Sequence, residues 1–183
     1  MKNLIYIFAI AVCFASCNMA DNSASMKPTA IQEQMQKFYD QVINAHNPAA
    51  MDSFCTADFL DHNPDQGHTG KGIDDAKASF TEFFAAFPDV HITANFFVES
   101  EDKCAAHVTM TGTNSGMMGN MPATNKQVTV DGIDLIKVKD GKATERWGFF
   151  DTMKMMTDLG LMPAPGAMPD SAAMMEKMGM EKK

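Results

Sequence analysis

Gln127–Asp151, QVTVDGIDLIKVKDGKATERWGFFD, reads as two long β-strands joined by a tight turn. Asp140-Gly141 separates two runs in which apolar and polar residues alternate, and Asp-Gly suits the centre of a two-residue hairpin because glycine accepts positive φ. With Lys139 opposite Lys142, Asp134 falls opposite Trp147. A period of two then gathers Val128, Val130, Asp134, Ile136, Glu145, Trp147, Phe149 and Asp151 on one face. The other face carries Ile133, Leu135 and Phe150 with Lys137, Thr144 and Arg146, a half-solvated pattern. Aromatic walls with a few acids are what a small-molecule pocket requires. Two of the acids have plainer readings beside this one: Glu145 stands near the turn in solvent, and Asp151 N-caps the next helix.

Upstream, the periodicity is helical. Ile31, Met35, Phe38, Tyr39, Val42 and Ile43 predict an amphipathic helix over Ile31–Ala45, with Thr29 as its cap. Pro48 opens a second short helix that reaches about Phe54. Phe59–Pro64 is a brief extended piece, followed by a loop through Asp65, Gly67 and Gly70. A third helix spans roughly Ile73–Phe87, its Ala76, Phe80, Phe83, Phe84 and Phe87 facing inward. From Val90 the period becomes two. Val90–Ser100 and Cys104–Thr113 form a hairpin, Gly112–Asn125 a Gly- and Met-rich lip over a pocket, and Thr152–Leu159 a last short helix. This order predicts an α+β fold, three helices packed on one side of a curved antiparallel sheet whose concave face is hollow.

Both ends of the chain read differently. Met1-Lys2, the apolar run Leu4–Val12 and the small residues before Cys17 make residues 1–16 a secretory signal peptide. The junction is similar to a bacterial lipobox, which implies lipidation of Cys17, a membrane anchor through it, and a cell-envelope location; residues 17–28 then form a flexible tether. The domain occupies 29–161 and a Met-rich tail 162–183. Loss of residues 1–16 removes one Lys and no acid, taking the formal net charge from -8 to -9 and arguing against nucleic acid as partner. Cys55 and Cys104 are expected as unpaired thiols, and no His or Cys spacing marks a metal site. Nine of the 18 methionines lie between Met153 and Met180; they fill irregular apolar gaps or, as soft thioethers, meet Cu(I).

Taken in order, Asp61-His62-Asn63-Pro64, Phe87-Pro88-Asp89, Gly112-Thr113 with Gly116, Pro122-Ala123-Thr124, Asp131-Gly132-Ile133-Asp134, Asp140-Gly141-Lys142, Glu145-Arg146-Trp147, Asp151 and Leu159-Gly160-Leu161 carry a resemblance. Together they resemble the SnoaL-like polyketide cyclase, or ester cyclase, family of the NTF2-like superfamily. The resemblance implies a cone of three N-terminal helices on a strongly curved sheet that encloses a pocket. It also implies cofactor-independent and metal-free acid/base chemistry, and dimerisation sheet against sheet. By position it assigns the general acid/base to Asp151, places His62 and Asn63 at the pocket and has Trp147 line it; the strand-face pattern adds Phe149 to the lining and Asp134 as a second candidate acid, and Asn114 joins the substrate-binding candidates. Asn114 stands where the family usually has His, and an amide hydrogen-bonds without titrating near neutral pH.

For the residues themselves, a carboxyl beside Trp147, Phe149 and Phe150 gains the raised pKa that proton abstraction next to a carbonyl needs. His62 either exchanges protons with it or is a loop histidine held by local hydrogen bonds. The expected partner is therefore a small apolar or carbonyl-containing ligand, met by an enzyme or by a binding module that performs no turnover.

Overall fold

The computed structural model describes residues 29–163. The expected signal peptide, Cys17 and the expected tether lie outside them, as does the expected Met-rich tail from residue 164 onward. Helix α1 (Ala30–Phe38) starts at Thr29, whose side chain accepts the Gln32 N–H. Beyond Phe38 the expected α-helix becomes a π-helical turn, Tyr39–Ile43. This wider turn brings Tyr39, Val42 and Ile43 together into the core, and such turns recur at functional sites. The second expected helix is a 3₁₀ segment, Pro48–Ser53, with Pro48 at its start.

Strand β1 (Cys55–Asp61) begins four residues before the predicted extended piece. Helix α2 (Ile73–Ala86), β2 (His91–Ser100), β3 (Lys103–Thr113), β4 (Gln127–Lys139), β5 (Lys142–Phe150) and α3 (Thr152–Asp158) follow. The five strands form one curved sheet in the order β1-β5-β4-β3-β2, antiparallel except that β1 runs parallel to β5. The class is α+β, and the last short helix, α3, follows the sheet where the sequence predicts it.

The β4–β5 turn forms as the sequence predicts, Asp140 and Gly141 both at positive φ, with Lys139 paired to Lys142. The register beyond it does not. Val138 pairs with Ala143, but Lys137 then pairs with Glu145, so Thr144 is an extra residue, a β-bulge. Asp134 therefore lies opposite Gly148, not Trp147, and Leu135 takes the position opposite Trp147. Glu145, Trp147 and Phe149 move to the outer face, and Arg146, Gly148 and Phe150 to the inner one. The physical reason is that Ala143 and Arg146 both turn inward, and residues three apart in a strand share a face only across a bulge.

A second bulge falls at Asn95, between the Ala94–Val108 and Phe96–His107 pairs. It turns Phe96 and Val98 outward, where they are 56% and 60% exposed. The core fills the concave side: Met35, Tyr39, Val42 and Ile43 from the first helical stretch, Phe84 and Phe87 from α2, and Val108, Met110, Val128 and Val130 from the sheet. Cys55 and Cys104 are buried free thiols.

The segment after β3 is not a lip over the cavity. Buried Asn114 donates to the Gly116 and Ala86 carbonyls and accepts from the Thr124 N–H, which pins the segment to the end of α2. Gly116 lies so close to the Ala85 carbonyl that no Cβ fits there.

Candidate functional site

Between the helices and the inner sheet face lies a cavity of about 250 Å³. Phe38, Tyr39, Phe80, Phe83 and Phe150 supply apolar walls, while Asp61, Asn63, Asp65, Ser79, Asp134 and Arg146 supply polar groups. Its floor is built on Arg146. The guanidinium Nε donates to Asp134 Oδ1 at 2.9 Å, Nη2 lies 2.6 Å from the same oxygen, and Nη1 donates to Asp61 Oδ2 at 2.8 Å. Asp134 Oδ2 accepts the Tyr39 hydroxyl at 3.2 Å. Each partner comes from a different element: β1, the π-turn, β4 and β5.

Local backbone features make this arrangement possible. The bulge turns Arg146 inward, the π-turn buries Tyr39, and Gly148 leaves a bare Cα over which the guanidinium lies, since a Cβ there would collide with it. The Arg146, Asp61 and Asp134 side chains are only 18%, 13% and 7% exposed. Burial alone pulls a guanidinium's pKa down, but Asp134 and Asp61 outweigh it and hold Arg146 above its ordinary value. Burial, reinforced by the Asp134 charge, pushes the Tyr39 hydroxyl up, so it keeps its proton and remains a donor.

The structure distributes the sequence-predicted residues widely. Asp134 lies on the cavity floor and Asn63 at its rim. Asp151 is exposed at the N-cap of α3, accepting the Lys154 N–H at 2.9 Å, and is not among the cavity-lining side chains. His62 lies on the opposite side of the sheet, stacked on Trp147 with ring centroids 4.2 Å apart and planes 4° apart, its Nε2 2.8 Å from Glu145. Glu145 also accepts from Lys137, and the two hydrogen bonds hold its carboxyl below the usual range. Trp147 and Phe149 line the outer face, and Asn114 braces the segment after β3. Sequence reasoning missed Arg146, Asp61 and Tyr39 as site residues. One signal was available: Arg146 is the only arginine among 15 basic residues.

Comparison with known proteins places this geometry in a class. The SnoaL-like polyketide cyclase family matches residues 33–159, and the chain belongs to that family. Among solved structures it is similar to TsrD from Streptomyces laurentii, at 23% identity and a TM-score of 0.67, covering 75% of this chain and 99% of that one. It also resembles a Bacillus cereus ATCC 10987 protein assigned as a polyketide cyclase, at 26% identity and a TM-score of 0.62, covering 73% and 83%. A SnoaL-like polyketide cyclase from Agrobacterium tumefaciens str. C58 aligns at 16% identity and a TM-score of 0.61, covering 73% and 100%. No functionally curated protein sequence matches the chain.

The cavity rim is clasped by a titratable cluster. In the β1–α2 loop, His68 Nδ1 lies 3.5 Å from Asp75 and Nε2 3.4 Å from Glu82, while Asp75 Oδ2 accepts the Thr69 and Gly70 N–H groups. In the same loop, rim residue Asp65 accepts the Ser79 hydroxyl at 2.8 Å. Burial lowers the His68 pKa, but its hydrogen bonds to Glu82 and Asp75 outweigh this and raise it above the ordinary value. Burial raises Asp75, and the Gly70, Thr69 and His68 hydrogen bonds outweigh this and lower it. The histidine contribution is complete below its unfolded value of about 6.5 and is lost as pH rises through the raised folded value. The aspartate contribution is complete above about 3.9 and is lost as pH falls through the lowered one. Amide-exchange protection of Thr69 and Gly70 should therefore be greatest between about pH 4 and 6.5, and a profile flat from pH 3 to 9 would remove the clasp.

Proposed function

We propose that this SnoaL-like domain binds a small carbonyl compound against Arg146 and performs cofactor-independent acid/base chemistry of the isomerase, lyase or ester cyclase type. One observation carries the reading. At most three of the five guanidinium N–H groups are taken by Asp134 and Asp61, which leaves donors at the cavity floor for a ligand oxygen. Preorganised donors aimed at developing negative charge in a dry site are strongly stabilising.

In this reading Asp134 removes a proton from the carbon next to the carbonyl, the C–H electron pair moves toward the carbonyl oxygen, and Arg146 stabilises the resulting enolate. The protonated Asp134 then delivers its proton to a different carbon of a conjugated enolate to give the isomerised product, or the enolate carbon attacks a second carbonyl carbon of the same molecule, whose C=O π pair moves onto its oxygen and takes the proton from Asp134. The roles that the resemblance assigns to Asp151 and His62 pass to Asp134 and Arg146, because Asp134 and Arg146 line the cavity and neither Asp151 nor His62 does. The test is exchange of ketone α-protons for deuterium, followed by NMR. Asp134→Asn should lower the thermal midpoint, because Arg146 loses a charged partner, and on the folded protein it should lower the catalysed rate at least about 100-fold while ligand binding is retained. Undiminished exchange would dismiss Asp134 as the base.

A binding module without turnover is the second reading, favoured by the pairing of Tyr39, Asp134, Arg146 and Asp61 with one another. Intact ligand binding with no exchange by the unaltered chain would select it. The outer sheet face supports self-association in either case: Phe96, Val98, Ile133 and Phe149 are 56%, 60%, 41% and 56% exposed. Phe149→Glu should convert a homodimer to monomer in sedimentation, and an unchanged sedimentation coefficient would refute this interface.

The lipobox resemblance around Cys17 supports a bacterial-envelope location for the domain. Among the described residues no helix is long and apolar enough to cross a membrane, so the lipid would supply the attachment. Cys17→Ser should move the protein from the membrane to the soluble fraction, and retention with the membrane would exclude the anchor.

A further inference from the structure

Next to the main cavity is a second chamber of about 40 Å³. Phe38, Tyr39, Asp134 and Arg146 border both spaces, so one layer of side chains divides them. Beyond that layer the wall is apolar: Met35, Phe54, Phe59, Ile136 and Ala143, together with Cys55. Burial pushes the Cys55 thiol up to about 12, so it stays protonated and presents itself as a small apolar group. Gln34 occupies the outer rim, its amide donating to the Gly141 carbonyl.

The chamber is larger than the roughly 10–15 Å³ that a water needs, yet its polar groups are concentrated at the shared wall, where they already bond to one another. A space of this kind favours a hydrocarbon group over water. The dividing layer is also uneven. Tyr39, Asp134 and Arg146 are tied by hydrogen bonds, whereas Phe38 meets its neighbours through ring edges, with centroids 5.8 Å from Phe54 and 6.2 Å from Tyr39 and Phe80. Phe38 is thus the member of the layer whose side chain can turn without breaking a hydrogen bond.

We propose that the second chamber is a subsite for a short unbranched alkyl arm, reached past Phe38 and adjoining the carbonyl held by Arg146. This rests on the reading of the main cavity as the ligand site and adds the ligand's chemical class. The ligand is a ketone or ester with an apolar body among Phe80, Phe83 and Phe150 on one side of the carbonyl and an alkyl arm of two or three carbons on the other.

Methionines supply the test, since Met35 lines only the second chamber and Met110 and Met155 only the main cavity. The full-length chain, labelled with ¹³C at its methionine methyls, is titrated with acetophenone, propiophenone and butyrophenone. Butyrophenone should shift the Met35, Met110 and Met155 methyls together, and acetophenone those of Met110 and Met155 alone. If Met35 stays still for every chain length while Met110 moves, the subsite is overturned and the cavity reading survives. If none of the three moves, the cavity reading itself fails. Ala143→Leu, which fills the chamber, should weaken butyrophenone about tenfold and leave acetophenone within about twofold. An equal loss for both ketones would also overturn the subsite.

Discussion

The ion pairing of Arg146 with Asp61 and Asp134 is the interaction on which the inner architecture depends. Removing one partner of a buried ion pair typically costs about 3–5 kcal/mol, because a charge is left without compensation in a poorly solvated place. That penalty acts here on three strands at once, since the carboxylates come from β1 and β4 and the guanidinium from β5. The parallel β1–β5 contact and the antiparallel β4–β5 contact are thereby fixed relative to each other. Tyr39 ties the first helical stretch to the same point.

An arginine suits this position in a way that a lysine would not. Its planar fork reaches two carboxylates on different strands and still presents N–H groups to the cavity, whereas an ammonium is a compact point charge. Lysine makes up the rest of the Lys and Arg residues, and among the described ones surface pairs such as Lys154–Asp158 and Lys103–Asp102 contribute little. The apolar remainder of the cavity lowers the local dielectric, so the few polar groups at its floor act strongly on whatever binds there.

Much of the fold was legible in the sequence, because helical and two-residue periodicities report burial directly. The α2 helix, the β2–β3 hairpin and the Asp140-Gly141 turn follow from pattern and turn chemistry alone. The site was less legible. Local spacing carries no sign that Thr144 is looped out, and from there every residue of β5 was assigned to the wrong face. Trp147 and Phe149 were read as cavity walls for that reason, and Arg146 as solvated. Nor does spacing reveal the π-turn, since Tyr39, Val42 and Ile43 fit an ordinary amphipathic helix equally well. Asp61 was quoted only as part of a motif, because its partner lies 85 positions away.

The bulge at Thr144 also bears on how related chains are to be aligned. The number of residues between the hairpin turn and the tryptophan, taken together with the bulge, decides which side of the sheet that tryptophan occupies. A homologue with the same turn and the same count but an unbulged ladder would present the opposite chemistry to its interior, an indole in place of a cationic floor, whereas one that lacks the extra residue keeps the faces found here. Identity at the tryptophan alone is thus a poor guide to common substrates. Count and bulge together sort such chains by what their interiors offer a ligand.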